Sequence, residues 1–359
     1  MANENQVVLI NTGRFGPELK PDGPELSDTS DIVSGGIRLS SCREAEIDTK
    51  RLLPGISTRL VDRQSLQAGI AAKQALGILP EGIGTERAGV ILGSSFGAAA
   101  SMYDFFHKIV TDGPNSISPM EFPNTVSNAA ASRVGIWFSL KGHCISLSNG
   151  NLSGLDALGL ALREIRERVM DYYLVGGSEE VPEVVRKIYA KVTEAHREID
   201  RINGIAREIL YEGAAMLLLT SAKVAREQKL NLIGYIDGYY AGTVPGGENS
   251  PGVVMDEVEK LMERCGYQPN EVLFCTGIIP GSSLSYAVIK EAITRFGDNR
   301  MLIHNRYGNT LVNYFAAEGI MGITASVAAL TNTNKQNRRK AMVCNVENDG
   351  RFSAVAIHI

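Results

Sequence analysis

The chain has 359 residues, of which 44% are hydrophobic and 21% charged, and its net charge of −4 offers no broad basic surface for nucleic acid. No apolar run approaches the roughly 20 residues that a membrane span needs, and the N-terminus lacks the basic and apolar regions of a signal peptide. The five cysteines are scattered without a C-x-x-C pair, which predicts reduced thiols in a cytoplasmic protein with no disulfide framework and no zinc site. We expect no cofactor, no metal, no nucleic acid partner and no membrane partner.

Apolar runs alternate with helical patterns along the first part of the chain. Residues 7–11 and 88–94 predict buried strands, and residues 61–76 predict a helix opened by Asp62. Residues 13–51 are polar and rich in glycine, proline, serine and aspartate, so an irregular surface excursion is expected. Residues 102–110 predict a further helix.

A tight strand–turn–helix pattern follows at residues 142–158. The alternating run 144–147 predicts a strand, residues 148–151 a turn, and the apolar spacing from about Ser153 a helix. Such a turn lies at a helix N-terminus, where free N–H groups favour negative charge and where enzymes place nucleophiles. Here the turn carries Asn151, an amide that cannot act as a thiolate or a base, although asparagine is also a preferred helix cap.

Residues 181–210 mix positive and negative charges, which predicts a solvated helical face, with a docking surface for an acidic partner as the alternative. The second half then repeats the alternation. Strands are expected at 232–239, 272–277, 301–305, 341–346 and 352–359, and helices at 253–265, 285–296 and 316–330. Continuous apolar strands alternating with helices predict an α/β fold with buried sheets, and two halves of this kind suggest an internal duplication.

Four motifs, in order, carry a resemblance to a known family. They lie at residues 87–94 (R-A-G-V-I-L-G-S), 141–146 (K-G-H-C-I-S), 175–179 (V-G-G-S-E) and 212–215 (E-G-A-A). Together they resemble the β-ketoacyl synthase family. The resemblance implies an α/β thiolase-like fold, a duplicated five-layered αβαβα arrangement, with an N-terminal half at residues 1–225 and a C-terminal half at 226–359.

The family's chemistry requires a cysteine and two histidines, and the resemblance maps these positions to Asn151, Thr276 and Asn309. The lysine that precedes the second histidine maps to His304, and the glycine-rich C-terminal loop to residues 345–350. None of Asn, Thr and Asn titrates usefully near neutral pH. The resemblance therefore implies a chain with no catalytic residue at these positions, a subunit that does not condense.

One branch of the family, the chain-length factor of type II polyketide synthases, carries an amide at the cysteine position. Resemblance to this branch implies a heterodimer with a catalytic ketosynthase subunit and chain elongation that depends on an acyl carrier protein. It also implies a growing poly-β-keto chain in a tunnel at the subunit interface. Residues 116–140 correspond to the interface segment. Its tunnel or interface candidates are Phe122, Pro123, Thr125, Val126, Asn128 and Trp137.

Two other functions remain open. The first is an enzyme of altered chemistry, a decarboxylase or acyltransferase using Ser148, Ser153 or Cys275; the second is a homodimeric, non-catalytic scaffold. Cys144 and Cys275 lie in apolar strand contexts, which favour inert buried thiols. The basic run at residues 335–340 predicts a solvated loop, with docking of the acidic acyl carrier protein as the alternative.

Overall fold

The structure is a computed structural model that describes residues 4–16, 33–34, 37–38, 42–43, 45–77, 85–205, 207–244, 250–332 and 339–359. Its strands are β1 Val7–Phe15, β2 Val33–Ser34, β3 Ile37–Arg38, β4 Cys42–Arg43, β5 Ala88–Gly93, β6 Cys144–Leu147, β7 Tyr172–Glu179, β8 Arg207–Tyr211, β9 Gly213–Ser221, β10 Gly234–Thr243, β11 Val272–Thr276, β12 Met301–Ile303, β13 Arg306–Tyr307, β14 Thr310–Asn313, β15 Lys340–Val346 and β16 Arg351–His358. Its helices are α1 Thr49–Leu52, α2 Arg63–Leu76, α3 Ala99–Asp112, α4 Ala129–Trp137, α5 Ser153–Arg166, α6 Glu183–Ile202, α7 Ala222–Glu227, α8 Pro251–Arg264, α9 Ser283–Phe296 and α10 Glu318–Asn332.

The main sheet has ten strands in the order β12-β11-β15-β16-β10-β1-β9-β7-β5-β6. In each set of five, the strands follow the same spatial order, first-fifth-fourth-second-third, with the same parallel and antiparallel pairings. Antiparallel pairing of β1 with β10 joins the two sets. The α/β class is confirmed, and both sets share one continuous sheet. A smaller sheet, in the order β13-β14-β8-β4, lies apart from it.

Three apolar clusters separate the layers. The central cluster joins α5 and α10 to strands of both sets, through residues such as Leu158 and Ile323. One outer cluster packs α2 and α4 on the first set, and another packs α8 and α9 on the second. Helices therefore cover both outer faces and fill the space between the two sets, which gives the expected five layers.

Two glycines allow the central helices to approach closely. A Cβ atom at Gly319 of α10 would lie 2.1 Å from Leu155 Cγ, and one at Gly154 of α5 would lie 2.3 Å from the Ala316 carbonyl oxygen. Larger residues at these positions would force the helices apart. The position of the α5 N-terminus thus depends on this contact.

The elements agree with the sequence in most places. Asp62 caps α2 by accepting a hydrogen bond from the Ser65 N–H at 2.8 Å, as predicted. The strand β1 was expected to end at Asn11 but continues to Phe15, because it pairs with β9 as far as Ala214. The charged segment forms α6 and β8. None of the described helices combines the length and apolar character of a membrane span.

Candidate functional site

The turn between β6 and α5 is held by a serine. Ser153 Oγ accepts a hydrogen bond from the Asn149 N–H at 2.7 Å and donates one to the Gly150 carbonyl at 2.7 Å. Leu152, and not Asn151, occupies the cap position of α5. Asn151 is 6% exposed, and its backbone lies directly before the helix.

The backbone N–H of Asn151 donates a hydrogen bond to Glu347 Oε1 at 2.6 Å. Glu347 belongs to the turn at residues 347–350 between β15 and β16, so the contact joins the two halves of the chain. Burial raises the pKa of Glu347, although the Asn151 N–H and Arg351 act in the opposite direction. The carboxylate therefore lies at the positive end of α5, in a place that is only partly solvated.

A second set of hydrogen bonds, made by Asp156, holds the turn between β6 and α5 in place. Asp156, in the first turn of α5, accepts hydrogen bonds from the Tyr239 hydroxyl and the Ser353 hydroxyl, each at 2.6 Å. It also accepts one from the Asn149 amide, whose oxygen in turn accepts from Arg351. Strands β10 and β16 thus hold the turn in one position.

A cavity of about 270 Å³ opens at this turn. Asn151 and Asn313 line it, together with the carboxylates of Asp200, Glu208 and Glu347. Arg351 also lines it, and none of the described lining residues is a cysteine or a histidine. The lining has polar and acidic groups but no nucleophile–base pair of the kind that acyl transfer uses.

Three aromatic rings pack at one side of the cavity. Phe96, Tyr189 of α6 and Phe315 form edge-to-face contacts with centroids 5.1–6.1 Å apart. Phe315 has a φ of 50°, a left-handed conformation that is strained in a bulky residue. Its N–H donates to Asn313 Oδ1 at 3.1 Å, which ties the strained backbone to the cavity lining.

The structure separates the three positions that the resemblance maps to the catalytic residues. Thr276 ends β11, is buried and donates its hydroxyl hydrogen to the Gly277 carbonyl at 3.1 Å, without lining the cavity. Asn309 is exposed in the turn between β13 and β14. Asn313, four residues later, lines the cavity with Asn151. Asn313 ends β14 shortly before the small-residue helix α10 begins at Glu318, and the start of that helix is the sequence signal that lies nearest to it.

His304 lies in the interior, outside the cavity lining. Its Nε2 lies 2.9 Å from Glu318 Oε1, and its Nδ1 lies 3.0 Å from the Thr276 carbonyl oxygen and 3.6 Å from Cys275 Sγ. Burial lowers the pKa of His304, but Glu318 and Cys275 outweigh it, so the pKa rises well above the usual value. His304 is thus a packed, ion-paired residue.

The candidate nucleophiles of the altered-enzyme alternative differ in their exposure, and Ser148 is exposed directly after β6. Cys275 and Ser153 are fully buried, and Ser153 is engaged in the turn. Cys144 is exposed in β6, and burial of part of its side chain raises the pKa of its thiol. Within the described ranges, no group of three or more His, Cys, Asp or Glu residues could hold a metal ion.

Glu179, the last residue of β7, supports the cavity wall, a role that its motif at residues 175–179 does not predict. Its carboxylate accepts hydrogen bonds from the Ser95 N–H at 2.5 Å, the Ser94 hydroxyl at 2.9 Å and the Phe96 N–H at 3.2 Å. Burial raises the pKa of Glu179 to about 7, although these bonds favour its ionised form. Residues 94–96 therefore depend on this buried carboxyl group.

The predicted interface candidates divide into two groups. Phe122, Pro123, Val126 and Asn128 are exposed and Thr125 is half-buried, whereas Trp137 packs on Gly69 of α2. The exposed ones adjoin further exposed apolar side chains of α3. We call this surface the apolar face, and its residues are Met102, Tyr103, Phe106, Val110, Met120, Phe122 and Val126.

Two contacts join α3 to the segment that carries Phe122. The rings of Phe105 and Phe122 have centroids 5.9 Å apart, and Lys108 forms an ion pair with Glu121 at 3.0 Å. Strand β6 is the last strand of the ten-stranded sheet, so one of its edges has no neighbouring strand in the described part of the chain. The basic run at 335–340 lies mainly outside the described residues.

Comparisons with known proteins agree with the family resemblance. Residues 25–201 match the family described as β-ketoacyl synthase, N-terminal domain. A 3-oxoacyl-[acyl-carrier-protein] synthase 2 from Coxiella burnetii is 29% identical over 43% of this chain and 39% of its own length. One from Vibrio cholerae is 23% identical over 66% of this chain and 62% of its own. The match thus spans less than two thirds of the length of each of these curated relatives.

Solved structures share the fold over nearly the whole chain. The ishigamide ketosynthase/chain length factor has a TM-score of 0.75 at 20% identity, with 99% of both chains covered. A type II polyketide synthase acyl carrier protein in complex with its ketosynthase bound to a hexaketide gives a TM-score of 0.75 at 16% identity, with 99% of both chains covered. The thiolase-like α/β fold of ketosynthases is confirmed.

Proposed function

We propose that the chain, whose residues 25–201 match the β-ketoacyl synthase N-terminal domain, is a ketosynthase-family protein and a non-condensing subunit of the chain-length-factor type. It pairs with a catalytic ketosynthase subunit in the cytoplasm and shapes the tunnel for a growing poly-β-keto chain that an acyl carrier protein extends. The observation that carries this proposal is the cavity at the α5 N-terminus, where the amides of Asn151 and Asn313 lie and no described lining residue is a cysteine or histidine.

Carbon–carbon bond formation through a thioester needs a nucleophile and groups that move protons. An amide supplies neither, since it is not ionised near neutral pH. The fold around the turn is nevertheless complete, with Ser153, Asp156 and Glu179 all satisfied by hydrogen bonds. A retained framework without reactive groups fits a subunit whose shape is needed and whose chemistry is supplied by a partner.

The surface next to the turn supports the pairing. Phe106 is 55% exposed and Val110 is 84% exposed, and an apolar surface of this extent is typical of an interface between subunits. The free edge of β6 offers backbone groups to a further strand. A fold shared with a ketosynthase/chain length factor agrees with this arrangement.

Chain length would then depend on the bulk of the side chains that meet the partner. Phe122 and Val126 are exposed on the apolar face, in the segment that the resemblance assigns to the interface. A larger side chain there removes space for substrate carbons, because a packed tunnel does not expand without strain.

The test is expression of this chain with and without an intact ketosynthase and acyl carrier protein, with products identified by mass spectrometry and association by size-exclusion chromatography. We expect no condensation by this chain alone, a stable complex with the synthase, and an unchanged condensation rate after Asn151→Ala. Condensation by this chain alone contradicts the proposal. A covalent acyl adduct on this chain favours the altered enzyme, and a homodimer that ignores the synthase favours the scaffold.

A further inference from the structure

The carboxylate of Glu347 lies at the N-terminal end of α5, where it accepts the hydrogen bond of the Asn151 N–H. We propose that Glu347 is an internal anion that closes this cavity to acyl thioesters. The inference rests on the proposed non-condensing function and gives it a second cause, independent of the missing cysteine.

The geometry places the carboxylate at an anion-binding position. The Asn151 N–H lies one residue before the cap of a fourteen-residue helix, and Glu347 Oε1 accepts its hydrogen bond at 2.6 Å. The preceding Gly150 has a φ of +62°, and a Cβ atom there would lie 2.7 Å from the same oxygen. The turn therefore leaves room for the carboxylate by omitting a side chain.

The hairpin that carries Glu347 does not need this side chain in order to form. Backbone bonds close it, from the Glu347 N–H to the Arg351 carbonyl at 2.7 Å and from the Gly350 N–H to the Glu347 carbonyl at 3.1 Å. Arg351 directs its Nε to Asp349 at 2.6 Å and its Nη1 to Asn149. The Glu347 carboxylate is thus left to bond across the cavity.

The consequence for an acyl thioester is direct. When a thiolate attacks the carbonyl carbon, negative charge develops on the carbonyl oxygen and requires an N–H donor directed at it. A carboxylate already bonded to that donor competes for it and repels the developing charge. It also disfavours a thiolate nearby.

The experiment restores the nucleophile and then removes the anion. Asn151→Cys is prepared alone and combined with Glu347→Gln, Glu347→Ala or, as a control that removes an exposed carboxylate outside the cavity lining, Glu227→Gln. The acyl donor is the hexanoyl thioester of N-acetylcysteamine. The introduced thiolate forms a C–S bond to the carbonyl carbon, and the N-acetylcysteamine thiolate leaves and takes a proton from water. Peptide mass spectrometry separates this thiol from the native cysteines.

We expect slow acylation of Asn151→Cys, and acceleration on the order of tenfold to a hundredfold when Glu347→Gln or Glu347→Ala is added, which lies at or below the lower limit of the roughly hundredfold to thousandfold effect of one oxyanion donor. Glu227→Gln should leave the rate unchanged. The ratio of iodoacetate to iodoacetamide alkylation rates should rise with Glu347→Gln, because an anionic reagent is no longer repelled. A structural role alone would not move that ratio.

Equal acylation rates with and without Glu347, or an unchanged alkylation ratio, would overturn the inference. Glu347→Gln keeps the shape of the side chain, so it remains informative if Glu347→Ala fails to fold. The measurements use the isolated chain. Failure to pair with a synthase would therefore leave these rates as they are, and failure here would leave the pairing test untouched.

Discussion

His304 Nε2 lies 2.9 Å from Glu318 Oε1, and each side chain is 1% exposed. Glu318 Oε2 also accepts a hydrogen bond from the Tyr314 N–H at 3.1 Å, at the start of the helix that packs against α5. Two buried charges of this kind depend on each other, because removal of one leaves the other unpaired in a medium that solvates it poorly.

Glu318→Gln should lower the free energy of unfolding by about 3–5 kcal/mol, the usual cost of breaking a buried pair. Since the pKa of His304 lies well above 6.5 in the folded protein, the pair contributes fully below pH 6.5 and loses its contribution as pH rises through the folded value. Urea unfolding at pH 6 and pH 9 measures both effects. Glu227→Gln, which removes the exposed partner of Lys223, is the control and should change little.

Glu179 makes stability depend on pH in the opposite sense to most carboxyl groups. Its folded-state pKa of about 7 exceeds the usual 4.5, so the folded protein holds a proton that the unfolded chain releases, and stability falls as pH rises from 4.5 to 7. The loss should reach about 3 kcal/mol, at about 1.4 kcal/mol per pKa unit.

Glu179→Gln should flatten this part of the stability curve, measured by urea unfolding between pH 4.5 and 8. Burial also raises the pKa of Glu180 to about 7, so Glu180→Gln separates the two contributions. An unchanged slope after Glu179→Gln would contradict the assignment.

Phe106→Glu tests the apolar face. The side chain is 55% exposed in the isolated chain, so the thermal midpoint should change little, whereas association with the ketosynthase should weaken by at least about tenfold because a charge would be buried at the contact. Ile202→Glu is a matched control, as Ile202 is 74% exposed on α6, away from the face. Analytical ultracentrifugation measures the association of both variants with the ketosynthase. Equal weakening by the two variants would show that the apolar face is not the interface.

Ser146→Pro tests the free edge of β6. The bonds from β5 reach the carbonyls of residues 143 and 147, so alternation directs the backbone of Ser146 toward the open edge. Proline is tolerated at such a position because the lost N–H has no partner strand there. The isolated chain should therefore stay folded by circular dichroism, while complex formation is lost.

Gly319→Ala should destabilise the protein by about 1–3 kcal/mol, since its Cβ would lie 2.1 Å from Leu155 Cγ in the central layer. Gly252→Ala, also in a helix, has room for the methyl group, with Arg295 as its nearest neighbour at 3.7 Å, and should leave stability equal or higher. Chemical denaturation measures both. Similar values for the two variants would mean that α5 and α10 do not pack as described.

The sequence predicts the local elements well and the cavity only in part. Periodicity identifies β6 and α5, and the polar residue before α2 identifies its cap, because each depends on neighbours within a few positions. The contact between Asn151 and Glu347 joins residues 196 positions apart, which no local pattern encodes. Asn313 lines the same cavity as Asn151, a placement that depends on the packing of distant segments and that no local pattern encodes either.

The pairing of β1 with β10 has a consequence for how the molecule unfolds. Val7 to Leu9 bond on one side to β9 and on the other to β10, so the inner strand of the first five-stranded set pairs directly with the inner strand of the second. Division of the chain between residues 225 and 226 would uncover the edges of β1 and β10 that pair with each other, and the surfaces on either side of α5 and α10. The two halves, though alike in strand order, should therefore melt in a single cooperative transition, and a fragment of either should aggregate when expressed alone.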